Sequence, residues 1–107
     1  MMKIKFNNRD ELDAFIRLLQ ELVLTMEAEL QSKTDMFERY ETEAKIELLE
    51  ELYPKVAKKQ FNSKEKNSVK INKALALIIF RYRDVAVDVY TDLLKNRIVE
   101  TIHRDMV

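Results

Sequence analysis

The chain of 107 residues contains no glycine and a single proline, Pro54. Glycine is the residue that turns with positive φ and that lets a phosphate group approach the backbone closely. Without it, the sequence cannot hold a dinucleotide-binding fingerprint, a Walker loop or a nucleophile elbow. Apolar residues make up 47% of the chain and charged residues 36%. With so few turn residues, this composition predicts one mainly helical domain over residues 1–107.

Other missing residue types limit the chemistry further. Cysteine is absent, which excludes disulfides and thiolate ligands and fits a reducing compartment, so a cytoplasmic protein is expected. The longest apolar run, 74–80, has seven residues, against the roughly 20 that span a bilayer. We expect no membrane segment and no cofactor.

The first 32 residues predict a strand followed by a helix. Residues 2–6 alternate between apolar and polar side chains, as a strand does. Asn8 is suited to cap a helix, and Asp10 and Glu11 lie in the first turn, where negative charge is favourable. Apolar residues then recur at spacings of three and four, which predicts a helix over 9–32.

Either a tight turn falls near 32–35, with Thr34 as a weak cap for a second helix, or the first helix continues through this segment. The apolar residues of the second helix are mostly four apart, so the stripe winds around the helix. These residues are Phe37, Tyr40, Ala44, Leu48, Leu52 and Val56. Proline removes a backbone hydrogen bond, so we expect a kink at Pro54, with a bend or stop at 52–53 and a short continuation to Phe61.

A polar loop at 62–68 leads to a second strand pattern. Residues 68–71 alternate as the start of the chain does, and Asn72 is suited to cap the next helix. The segments 3–6 and 68–71 either pair as a small two-stranded ribbon or remain extended lead-ins to their helices.

The third predicted helix runs from Lys73 to the end of the sequence without a breaker. Its main apolar stripe ends near Leu93, and the last apolar residues fall on the opposite side. This second stripe consists of Ile98, Val99, Ile102 and Met106. Either these residues form an interface between chains, or a break near 95–96 folds the last turns onto their own bundle.

The predicted fold is therefore mainly α, with three long helices in an up-down bundle. One core is expected to bury a set drawn from all three helices. The set is Leu12, Phe15, Leu19, Leu22, Leu48, Leu52, Leu75, Ile78, Ile79, Tyr82 and Val89.

The net charge of zero conceals a segregated pattern. Residues 55–83 carry nine Lys or Arg and one Glu, whereas residues 1–54 carry seven basic and 13 acidic residues. Clustered cations suit phosphate binding, but a solvated segment attracted to an acidic protein surface is the alternative. The cations are Lys55, Lys58, Lys59, Lys64, Lys66, Lys70, Lys73, Arg81 and Arg83.

No residue pattern predicts catalysis or metal binding. Glu43, Glu47 and Glu51 recur every four residues, as on a solvated helix face. A di-iron bundle needs two Glu-x-x-His pairs, and the sequence has only one, Glu100 with His103. The single histidine, His103, fits a helix-dipole contact better than a catalyst. We expect a non-enzymatic interaction protein that self-associates through its C-terminal helix. The alternative is a nucleic-acid-binding accessory protein that uses residues 55–83.

Overall fold

The computed structural model describes residues 2–58 and 67–106. These residues form two strands and four helices, so the mainly α prediction is confirmed but the number of long helices is not. The central helix α1 packs against both α2 and α4. In chain order, the elements are β1 (Met2–Phe6), α1 (Arg9–Ser32), α2 (Met36–Ala57), β2 (Asn67–Ile71), α3 (Lys73–Arg81) and α4 (Val89–Met106).

The two predicted strand segments do pair, as an antiparallel two-stranded sheet. Ile4 lies opposite Val69, and both side chains are buried against the helices. Phe6, one pleat further along, makes an edge-to-face contact with Phe15 of α1, with 5.5 Å between ring centroids. The sheet is therefore anchored by its apolar inner face, which a two-stranded ribbon needs for stability.

Helix α1 has the predicted bounds. Asn8 accepts a hydrogen bond from the Glu11 N–H (2.9 Å), and the Glu11 carboxylate accepts one from the Asn7 N–H (2.7 Å). This reciprocal pair satisfies backbone donors at the helix start. Of its predicted apolar stripe, Leu12, Phe15, Leu19, Leu22 and Met26 are buried, and the remaining members are partly buried against the same core: Ile16, Val23 and Leu30.

Helix α2 runs through its proline. Asp35, rather than Thr34, caps its start by accepting from the Phe37 N–H at 2.8 Å. The helix continues past Pro54 to Ala57, so a stop at 52–53 is wrong. The predicted continuation to Phe61 lies outside the described residues.

The predicted third helix is two helices, which is the main departure from expectation. Residues 82–88 separate α3 from α4, and the alternative break at 95–96 lies inside α4. Asp88 starts α4 by accepting from both the N–H and the hydroxyl of Thr91, each at 2.8 Å. Arg17 of α1 donates to the same carboxylate at 3.0 Å. A side-chain cap, rather than glycine or proline, therefore marks this boundary.

The break directs the last apolar stripe into the core of the same chain. Ile98 and Ile102 are each only 2% exposed, and Val99 is half-buried against the same core. The side chain of Met106 is not among those described. The predicted oligomer interface of Ile98, Val99, Ile102 and Met106 is corrected accordingly, because its two isoleucines already pack within one chain. Val89, predicted to be buried, is 80% exposed.

Tyr82, at the end of α3, connects this end of the helix to α1. Its side chain is buried, and its hydroxyl donates to Glu29 at 2.7 Å. Burial and the neighbouring Glu29 carboxylate raise the pKa of Tyr82 to about 12, so the hydroxyl stays protonated as a donor. This hydrogen bond fixes where the turn at 82–88 begins.

Replacing Ile98 by alanine is expected to lower the free energy of unfolding by about 2–5 kcal/mol, because a buried side chain is lost and a cavity remains. Val89→Ala, at an exposed position of the same helix, should change it by less than about 0.5 kcal/mol. Urea unfolding of both variants gives the comparison. Equal stability of the two variants would contradict the placement of Ile98 in the core.

Replacing Asp88 by alanine is expected to lower the Tm at neutral pH, because α4 loses its cap. The Thr91 N–H and hydroxyl, with Arg17, lower the pKa of Asp88 from 3.8 to about 2. A pKa lowered in the folded state stabilises the protein above pH 3.8, and this stabilisation is lost as the pH falls through about 2.

The Tm difference between wild type and Asp88→Ala should therefore shrink between neutral pH and about pH 2. Asp84→Ala is the matched control, since Asp84 is exposed in the same turn and is expected to leave the Tm unchanged at both pH values. A difference that persists undiminished in acid would show that the carboxylate charge of Asp88 is irrelevant to the cap.

Candidate functional site

The basic segment predicted from the sequence is not gathered on one element. Lys59, Lys64 and Lys66 lie outside the described residues. The other six cations are distributed over the end of α2, the sheet and the two ends of α3. They are Lys55 and Lys58, then Lys70, and then Lys73, Arg81 and Arg83. The six described cations therefore come from three different parts of the fold rather than from one continuous helix or loop.

An apolar groove of about 560 Å³ lies between α2 and α3. Ala44 and Leu48 form its α2 wall, and Leu77 and Phe80 contribute to its α3 wall. Leu77 is 51% exposed although it lies in a helix with a buried apolar stripe. Two cations, Lys45 and Arg81, stand at the rim of this groove.

The apolar surface continues beyond the groove along α2. Phe37 is 82% exposed and Tyr40 is 60% exposed. Spacings of seven and four residues place Phe37, Ala44 and Leu48 on one side of the helix. We call the combined surface the α2–α3 face; it consists of Phe37, Tyr40, Ala44, Leu48, Leu77 and Phe80. Clustered apolar exposure of this kind marks interaction surfaces.

A cation–π contact positions Arg83 at the α3 end of this face. The Arg83 guanidinium lies 4.6 Å from the centroid of the Phe80 ring, and Arg83 also donates to the Phe80 carbonyl at 2.9 Å. The other contact of the Phe80 ring is a stack with His103 of α4, with 6.5 Å between centroids. His103 thus packs against the Phe80 ring, a contact that the sequence did not predict.

Phe37 and Tyr40 belong to the predicted apolar stripe of the second helix, but both are exposed. At 100° per residue, Phe37 and Leu48 lie within about 20° of each other on the helix, so the exposure of Phe37 reflects the lack of a described element packed beside the start of α2 rather than a rotation of the stripe. The buried residues of α2 are instead Thr42, Ile46, Leu49 and Val56. The spacing of the predicted stripe therefore carries no signal of which end of α2 is exposed.

The acidic residues form a solvated surface. Glu43, Glu47 and Glu51 are exposed along α2, as expected. Among the described residues, no group of three or more His, Cys, Asp or Glu side chains is arranged to hold a metal ion. Within the same residues, no helix has the length and apolar character needed to cross a membrane.

Comparison with known proteins gives no functional information on any of these surfaces. No family model matches the chain, and no match was found among curated proteins or among solved structures.

Proposed function

We propose that this protein is a non-enzymatic interaction protein that self-associates through the α2–α3 face. The observation that carries the proposal is the 82% exposure of Phe37, on the same side of α2 as the groove residues Ala44 and Leu48. A large aromatic side chain left in water forgoes the roughly 1.5–3 kcal/mol that burial supplies. A second copy of the chain can provide that burial. Because a chain without cysteine fits a reducing compartment, we assign this assembly to the cytoplasm.

The arrangement along α2 suits a two-fold symmetric contact. Phe37 and Leu48 are 11 positions apart, or about 16 Å along a helix at 1.5 Å per residue. If the α2 helices of two copies pack antiparallel, each Phe37 lies opposite Leu48 of the second copy and enters its groove. Ala44, near the centre of this stretch, leaves room for the helices to approach closely. Such an interface uses the same patch twice, as a two-fold dimer requires.

Charge on the same surface favours a second copy over an unrelated apolar partner. Glu41 is exposed and Lys45 is half-buried, and neither forms an ion pair in the described part of the chain. In the antiparallel pairing, Glu41 of each copy lies beside Lys45 of the other. The contact thus contains two equivalent ion pairs at the edge of an apolar centre, a common arrangement in protein interfaces.

Sedimentation equilibrium at several concentrations tests the proposal. We expect twice the 12.8 kDa chain mass, concentration-dependent dissociation, and monomers for Ala44→Glu, because a charge then lies at the centre of the contact. Leu93→Glu is the matched control: Leu93 is 65% exposed on α4, away from the α2–α3 face, and its variant should remain dimeric. A wild-type chain that is monomeric at every concentration would overturn self-association.

A charge exchange tests the antiparallel geometry separately. Glu41→Lys is expected to weaken the dimer at low salt, because two pairs of like charges then face each other. Adding Lys45→Glu to the same chain should restore it, since each pair is complementary again. If the double variant associates no better than Glu41→Lys, Glu41 and Lys45 do not face each other across the interface. Circular dichroism of both variants checks that the helices are intact.

A further inference from the structure

The outer face of the two-stranded sheet carries an unusual concentration of positive charge. Along β1, Ile4 and Phe6 point into the core, so Lys3 and Lys5 point outward, and both are exposed. On β2, Lys70 is exposed between the buried Val69 and Ile71. All three lysines therefore share one face of the ribbon.

The strand register sets two of these lysines directly against each other. Lys3 pairs with Lys70, and opposite residues in an antiparallel sheet have Cβ atoms about 4.5–5.5 Å apart. Like charges at that distance destabilise a strand pair. Intramolecular ion pairs do not relieve them: the four ion pairs of the described residues use the cations Arg9, Arg17, Lys95 and Arg97. Repulsion of this kind is relieved by an anion bound from outside.

A fourth cation lies beside the ribbon. A groove of about 340 Å³ between β1 and α4 is lined by Lys3, Lys5, Asn7 and Arg104 among other residues, and none of its described lining residues is acidic. Arg97, in the same groove, is already engaged by Glu11 at 3.0 Å and by the Lys5 carbonyl at 2.8 Å. Arg104 is exposed and remains available to a ligand, and Asn7 adds a neutral side-chain donor.

We propose that this ribbon binds the phosphate backbone of duplex DNA, with Lys3, Lys5, Lys70 and Arg104 as its cationic contacts. Lysine and arginine, with neutral donors such as asparagine, are the side chains that contact DNA phosphates. A two-stranded ribbon fits the major groove of B-form DNA, whereas the major groove of duplex RNA is too deep and narrow for it. The outward ribbon positions carry no aromatic side chain, and binding to single strands relies on base stacking.

This site differs from the one expected from the sequence. Of the basic segment 55–83, only Lys70 belongs to it, and its other members come from β1 and α4. Four cations imply a salt slope of about −3.6 for the logarithm of the binding constant, or about 100-fold weaker binding between about 50 and 200 mM salt. The inference does not require self-association of the chain.

Fluorescence anisotropy with a short labelled DNA duplex, over that range of salt, tests the site. Lys3→Gln combined with Lys70→Gln is expected to reduce the slope by about 2, leaving about a 10-fold salt effect. The same variant should melt no lower than wild type, because the opposed charges have been removed. The control is Lys55→Gln with Lys58→Gln, which removes the same charge from exposed positions of the predicted basic segment and should leave the slope unchanged.

Several results would overturn the inference. One is a wild-type chain that fails to bind the duplex at about 50 mM salt. Another is a ribbon variant that binds the duplex with the wild-type salt slope. A third is a control variant whose salt slope falls as much as that of the ribbon variant. Equal or tighter binding to duplex RNA, to single-stranded DNA or to anionic lipid vesicles would assign the lysines to a different ligand.

Discussion

The position of α4 depends on how the chain turns between Arg81 and Val89, and a buried ammonium group secures that turn. Lys95 is only 3% exposed, and its Nζ donates to the Val85 carbonyl at 2.6 Å and pairs with Asp92 at 2.9 Å. A buried charge is tolerated when hydrogen bonds and an opposite charge accompany it. The Val85 carbonyl of the turn and the Asp92 carboxylate supply both to Lys95, and the hydrogen bond holds the turn against α4. Because the turn sets the direction of α4, Ile98 and Ile102 lie in the core, and Arg97 forms an ion pair with Glu11 of α1.

Side-chain caps mark every helix start in the described residues, but only the caps at Asn8 and Asn72 were predicted; the cap of α2 was placed one residue early, and the start of α4 was missed. Asn8, Asp35, Asn72 and Asp88 each accept from a backbone N–H in the first turn of a helix. Among the described residues none has positive φ, so none of the helices ends with the left-handed residue that usually signals a C-terminus. The end of α3 carries no such mark in the sequence. The Asp88 cap was the one signal for the break, and it lies within an apolar pattern that continues through it.

The candidate surfaces were harder to predict than the core, because burial of a helix face depends on what packs against it. Leu19 and Ile79 were correctly assigned to the core from spacing alone, because α1 packs against α2 and α4, and α3 also contacts both of those helices. Phe37 has the same spacing as a core residue, yet nothing in the described chain covers the start of α2 on that side. Periodicity identifies an apolar face, but it does not say whether the neighbour belongs to the same chain.

The ribbon shows how a charged surface can be maintained against its own repulsion. Opposed lysines weaken the pairing of β1 with β2, while four side chains beneath them, Ile4, Phe6, Val69 and Ile71, are each at most 8% exposed. Burial of four large apolar side chains stabilises by several kcal/mol, whereas one opposed pair of exposed charges costs on the order of 1 kcal/mol or less. Burial of the inner face can thus keep β1 and β2 paired although the opposed lysines on the outer face repel each other. The net charge of zero does not reveal the positive charge on the ribbon, because the acidic residues that balance the lysines lie mainly along α1 and α2.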